Sequence, residues 1–168
     1  GFLIDYNQQM FVPDSESADM LLKRLELYKR LYTQIAEVQK IGLNNNRVAT
    51  ERNLLRTIDQ LENYLGSSLE EDPLLLINFS PEISESFISE WKEKAKKIID
   101  VNIRPTVLAY LDQLKIEHIP KGRTDEHSGI IWIEGGEETY LRALRKYTGH
   151  KDITVQEVHN VGLSEIDR

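Results

Sequence analysis

Apolar residues recur along this chain at helical spacing, and the pattern breaks at a few sharply marked places. Leu21, Leu25, Tyr28, Tyr32, Ile35 and Val38 follow one another at intervals of three and four. That spacing is one stripe of an amphipathic helix. Leu22 and Leu31 widen it beyond a coiled-coil seam. Pro13-Asp14-Ser15 supplies a turn and N-cap candidates before it, with Glu16 and Asp19 near the positive end of the helix dipole. Gly42 and Asn44-Asn45-Asn46 end it, since both residue types tolerate a left-handed C-cap. A second stripe, Leu54, Ile58, Leu61 and Leu65, predicts a helix over about 48–65, and Gly66 stops it. The short loop between the two favours an antiparallel pair.

Leu74 to Phe79 is too short an apolar run for a confident helix and fits an extended link or one helical turn. Ser80-Pro81-Glu82 reads as a helix start: serine cap, proline at the first position, then an acid. Ile83, Phe87, Trp91, Ala95 and Ile98 carry the next stripe, which resumes after Pro105 with Val107, Leu111 and Leu114. An interior proline removes a hydrogen bond and crowds the preceding turn. The expectation is one long helix kinked near Ile103, or two meeting there, ended by Pro120-Lys121-Gly122. Gly129-Ile130-Ile131-Trp132-Ile133 is β-branched and aromatic and predicts one short extended segment, lacking an evident partner. Gly135-Gly136 then turns the chain into a helix bearing Tyr140, Leu141, Leu144 and Tyr147, closed by Gly149. Thr154 and Glu157 form a capping box opening a last helix. Residues 2–12 have no sustained period and read as an arm packed on the body. The predicted fold is all-α: an irregular bundle of about five to seven helices in a single domain over residues 1–168.

Composition changes this picture little. The chain has 168 residues, 40% hydrophobic and 29% charged, which suits a soluble globular domain able to bury a core. A net charge of −7 argues against nucleic acid as a partner. There is no cysteine, so thiolate and disulfide chemistry are excluded. No apolar run approaches the roughly 20 residues of a membrane span. The chain begins with Gly1 rather than methionine, so its ends are expected to be artificial and the chain to be part of a larger protein. The lysines of 92–97, interspersed with Glu93, and the acidic run Glu70-Glu71-Asp72 read as solvated faces.

Familiar catalytic signatures are missing: no Gly-x-Ser-x-Gly elbow, no phosphate loop, no Gly-x-Gly-x-x-Gly. Of His118, His127, His150 and His159, none is followed by glutamate as in a His-Glu-x-x-His zinc helix. Asp125-Glu126-His127 offers three ligand types, but consecutive side chains do not readily converge on one metal. His150 falls in a polar turn. His159 lies in the second turn of the capped helix and reads either as a packing histidine or as the wall of a cleft. Tyr140 divides the same way, between core packing and a cleft-facing hydroxyl. The residues themselves therefore name no catalytic group, no metal ligand and no cofactor. A small-molecule pocket between helices has no residue-level support in the sequence.

One ordered series is more specific. Trp132 and Gly135-Gly136, then Tyr140, Leu144 and Thr148, then Thr154-x-x-Glu157-x-His159-x-x-Gly162-Leu163-x-Glu165 resemble one region of domain-of-unknown-function family 885. The helices over 47–65 and 91–114 resemble the family's preceding helices. Ile133-Glu134 stands where the family tends to have Leu-Pro, and Gly149 where a second threonine is common. The resemblance implies a bacterial, largely helical, zinc-peptidase-like protein, and favours an exported location, periplasmic or lipoprotein, over a cytoplasmic one. It also implies that the zinc motif, with its His-Glu pair, lies beyond this chain, so no ligand carries over to any residue here and zinc belongs to the full-length parent. A metal-activated water would hydrolyse the parent's peptide substrate. This chain would be helical scaffold, not catalytically competent by itself, with Tyr140 and His159 as substrate-cleft candidates. Its expected partners are the rest of its parent chain or, through exposed apolar surface, a second copy. The alternative is a non-enzymatic helical module that binds a protein or peptide.

Overall fold

The computed structural model describes residues 10–168. Most of the N-terminal arm expected over residues 2–12 lies outside the described residues. Its last part is built into the body. Strand β1 (Phe11–Val12) pairs in parallel with β2 (Asn78–Phe79), Val12 opposite Phe79. The Asn78 amide donates to the Met10 carbonyl at 3.2 Å and the Ser80 amide to that of Val12 at 2.9 Å.

Helix α1 (Ser15–Asn44) starts where Asp14 accepts a hydrogen bond from the Ser17 amide at 2.8 Å. It ends in the asparagine run, with Asn46 in the left-handed region at φ 53°. Helix α2 (Glu51–Gly66) follows. The chain then makes a 3-10 turn at Pro73–Leu75 before β2, so the 74–79 run is both a helical turn and an extended link.

The next helix begins later than its Ser80-Pro81-Glu82 signature suggests. Ser80 is committed to the strand: its amide bonds back to Val12, and its hydroxyl accepts from the Glu82 amide in a turn. Ser84 caps instead, accepting from the Phe87 amide at 3.3 Å, and α3 runs Glu85–Ile98. Beyond it the rod continues without leaving helical geometry, through a π turn (Ile99–Ile103), α4 (Arg104–Gln113), a second π turn (Leu114–His118) and a 3-10 turn (Ile119–Lys121). Each π turn ends two residues before a proline, Pro105 or Pro120. Proline has no N–H to donate, and a wider i→i+5 turn lets the ladder close around that gap. The interruption expected near Ile103 therefore takes the form of a π turn within one rod.

This rod organises the core. Trp91, Ala95, Ile99, Ile103 and Val107 bury against Ala18, Leu21, Leu25 and Tyr28 of α1 and against Leu74 and Leu75. The Trp91 indole donates to the Ala18 carbonyl at 2.8 Å, so the core's largest ring is satisfied as well as buried. Further along, Tyr110, Leu111 and Leu114 bury against Leu54 and Ile58 of α2 and against Leu43 and Val48. Helix α4 packs on both α1 and α2, which meet chiefly through it. That modifies the expected α1–α2 pair: the loop between them is short, but both stripes face α4.

Helices α5 (Gly136–Thr148) and α6 (Val155–Ile166) complete the chain. With the rod counted once, the described residues form five helices and a two-residue parallel pair, in line with the predicted all-α bundle. The expected extended segment at 129–133 is instead a 3-10 turn, Ile130–Trp132. No strand lies alongside it, and its backbone bonds locally, the Trp132 amide to the Gly129 carbonyl and the Ile133 amide to that of Ile130, both at 3.2 Å. Among the described residues, no helix is long and apolar enough to cross a membrane.

Candidate functional site

The two sequence candidates, Tyr140 and His159, both lie on the C-terminal arm formed by α5 and α6. How that arm is attached decides what they can do. The linker from 122 to 135 crosses the α1–α2 loop, and Arg123 is its fastener. The Arg123 backbone bonds in both directions: its amide donates to the Ala49 carbonyl at 3.1 Å, and its carbonyl accepts from the Glu51 amide at 2.8 Å. Its guanidinium donates to the carbonyls of Val48, His127 and Gly129 at 2.7, 2.5 and 2.9 Å. Arg52 adds an ion pair to Asp125.

The glycine pair then aims α5. Gly135 has φ 67°, where a side chain is strained, and a Cβ there would lie 3.3 Å from Nη2 of Arg47. Gly136 answers a different need. A Cβ at Gly136 would sit 1.7 Å from the Ile130 carbonyl oxygen, so only glycine fits this crossing of the chain over its own linker.

Past Gly136 the chain is scarcely covered. Gly136 is the one buried residue of α5, and α6 has none. Trp132, Tyr147, Val161 and Ile166 are exposed by 57, 84, 61 and 82%. Tyr140 is 41% exposed on the second turn of α5, and His159 is exposed on α6. Neither borders the hollow at the turn between α5 and α6. The capping box is complete: the Glu157 amide donates to the Thr154 hydroxyl at 3.2 Å, and the Thr154 amide to the Glu157 carboxylate at 2.8 Å. Those bonds, the backbone one foremost, hold the Glu157 carboxyl below its usual range. His150, with Lys151, Asp152 and Glu157, lines a shallow hollow at the turn between α5 and α6.

The Asp125-Glu126-His127 run does not assemble a metal site. Asp125 pairs with Arg52, and Nδ1 of His127 lies 2.9 Å from the Thr124 hydroxyl. The His127 ring meets Trp132 edge-on at 4.3 Å. Among the described residues no three His, Asp or Glu side chains gather as a ligand group.

Two polar constellations in the body escape the sequence reading. Asp72, the last residue of the acidic run expected to be solvated, is completely buried. Its carboxylate accepts from Arg104 at 3.1 and 3.2 Å and from the Leu74 amide at 3.0 Å. Arg104 also donates to the carbonyls of Ser67 and Ser68, pinning the 67–75 loop onto the rod. The Tyr64 ring lies 5.5 Å from that guanidinium, and burial, then the nearby Asp72 charge, pushes its hydroxyl well above the usual tyrosine range. Pro73, directly after Asp72 in the sequence, was the only hint of a fixed turn there.

The second is His118, only 3% exposed, carried inward by the second π turn. With Gln39, Arg47, Val48, Asn53, Leu54 and Leu114 it lines a half-open cleft of about 290 Å3 between the rod, α1 and α2. A signal for it was present: His118 follows Leu111 and Leu114 at helical spacing, on the buried stripe.

These features define a class first: an all-helical body built on one long interrupted rod, carrying through a double-glycine turn a two-helix arm with a largely uncovered apolar face. The chain belongs to the family described as bacterial protein of unknown function, DUF885, whose model matches residues 2–168. No curated protein and no solved structure matches it.

Proposed function

We propose that this chain is the helical scaffold region of a zinc-dependent, peptidase-like protein and is not catalytically competent by itself. The observation that carries this reading is the uncovered arm. A segment held by a five-bond arginine fastener and an obligatory glycine crossing is positioned with care, yet its Val161, Leu163 and Ile166 stay exposed among the described residues. Surface of that kind is suited to being covered by a partner. The partner we infer is the remainder of the parent chain, which would also hold the zinc. Tyr140 and His159 share the arm and would form part of the wall facing the peptide.

The test joins activity to metal content. The chain alone should cleave no fluorogenic peptide and retain no stoichiometric zinc after dialysis, whereas a parent protein containing it should do both. In that parent, Tyr140→Phe and His159→Ala should raise KM with zinc content unchanged. Tight zinc in the isolated chain, lost on His159→Ala, would overturn the proposal.

The same uncovered face also suits the alternative, a non-enzymatic module binding a protein or peptide. A parent that takes up no zinc and cleaves no peptide, yet is held by another protein through the arm, decides for that alternative.

A further inference from the structure

His118 has one ring nitrogen satisfied and one not. Nδ1 lies 3.3 Å from the Gln113 carbonyl oxygen. A carbonyl can only accept, so Nδ1 carries the proton and donates, and Nε2 of the neutral ring is left as a bare acceptor. Nε2 is closed off from solvent and has no partner among the described residues. Buried polar atoms without partners are a small minority in folded proteins, and each calls for a group to fill it.

A second unmatched group borders the same cleft. Arg47 is exposed and lies against the backbone of Gly135, and no carboxylate or carbonyl of the described residues takes its guanidinium. Glu134 lines a neighbouring hollow with Arg47 but forms no ion pair with it. A guanidinium with free donors selects a carboxylate or similar anion. Between the two lie buried apolar walls, Val48, Leu54 and Leu114, with the amides of Gln39 and Asn53. No acidic side chain lines the cleft, so a buried ammonium would have no counter-charge from the protein. At about 290 Å3 the cleft stands at the lower end of ligand-binding volumes, roughly 300 Å3, which restricts the occupant to a small molecule.

We propose that this cleft binds a small apolar 2-hydroxy acid, its carboxylate on Arg47, its hydroxyl donating to Nε2 of His118, and its hydrocarbon against Val48, Leu54 and Leu114. Nε2 has no exposed surface of its own, so the hydroxyl reaches it only as the cleft's lining side chains give way. The site belongs to the body and not to the arm, so its failure leaves the scaffold proposal untouched.

Isothermal titration calorimetry on the full chain tests it with four probes that differ by one group each: 2-hydroxy-4-methylpentanoate, its amide, 4-methylpentanoate and leucine. The hydroxy acid should bind saturably, and the amide and the deoxy acid each about tenfold more weakly or worse, as expected for loss of one charge-assisted or buried hydrogen bond. Arg47→Gln, at an exposed position, should abolish the preference over the amide. His118→Phe should abolish the preference over 4-methylpentanoate; if that variant does not fold by circular dichroism, the probe series and Arg47→Gln decide alone. Absence of saturable binding, equal binding of acid and amide, leucine binding as tightly as the hydroxy acid, or an indifferent Arg47→Gln overturns the proposal.

Discussion

Asp72 and Gly136 show how much a single residue can be asked to carry in this fold. Asp72 has no exposed surface, and Arg104 is its one cationic partner among the described residues. Removing one member of a buried pair strands the other, which typically costs about 3–5 kcal/mol. Arg104→Met should therefore destabilise the body by that order in urea denaturation. Asp72→Asn, which keeps the shape and most acceptors, should cost less. Tyr64 adds a pH signature to the same cluster. Its folded-state pKa is raised above the ordinary tyrosine value of 10.0. The stability it contributes is thus whole below that value and lost as pH rises above it, towards the folded pKa. Tyr64→Phe should hold the fold to higher pH than the parent sequence in a circular-dichroism titration. At Gly136 the reason is contact: Gly136→Ala places a Cβ on the Ile130 carbonyl. Overpacking of this kind costs about 1–3 kcal/mol. The effect should appear as faster tryptic cleavage at Arg142, Arg145 and Lys146 with the body intact.

At the scale of elements, the last helix is the informative one. Helix α6 buries none of its residues, so its capping box matters more than it would in a packed helix. Thr154→Ala should cost about 1 kcal/mol. That loss should be read as faster amide exchange within α6, with the thermal midpoint of the body unmoved. The glutamate half of the box is pH-dependent with a fixed sign. Glu157 has its folded pKa depressed below the ordinary glutamate value of 4.5, so its contribution is present above that value and is lost as pH falls through the lower folded pKa. An NMR titration of the Glu157 carboxyl should give a midpoint below 4.5, returning towards it in Thr154→Ala. The long rod teaches the complementary lesson. Pro105 was legible as an interruption and Pro120 as an end, but the sequence does not say whether a helix stops, kinks or widens at a proline. Here it widens, in a rod that packs on both α1 and α2.

The molecule as a whole divides into a body that closes its own core and an arm that does not. The stripes of α1, α2 and the rod were legible because burial on one face imposes a period of three to four residues. The boundaries at Asp14, Gly66, Gly149 and Thr154 were legible because caps and left-handed turns demand particular residues. The start at Ser80 misled because its signals are local, while a strand pairing with Val12, distant in sequence, had already taken its backbone. Ile130 and Ile131 misled in the same way, since β-branched residues become strand only beside a partner. Asp72 lay hidden in an acidic run because only the approach of Arg104, 32 residues on, makes its burial tolerable. His118 and Arg47 were likewise separate letters until α1, α2 and the rod closed around them. Sequence by itself determined the helices, their caps and the family, all of which rest on nearest-neighbour backbone needs and on one-sided burial. Tertiary structure alone decided which charges are buried, which glycine is a crossing and where an unpaired acceptor lies sealed beside a cleft, because each depends on groups that meet only when distant segments pack.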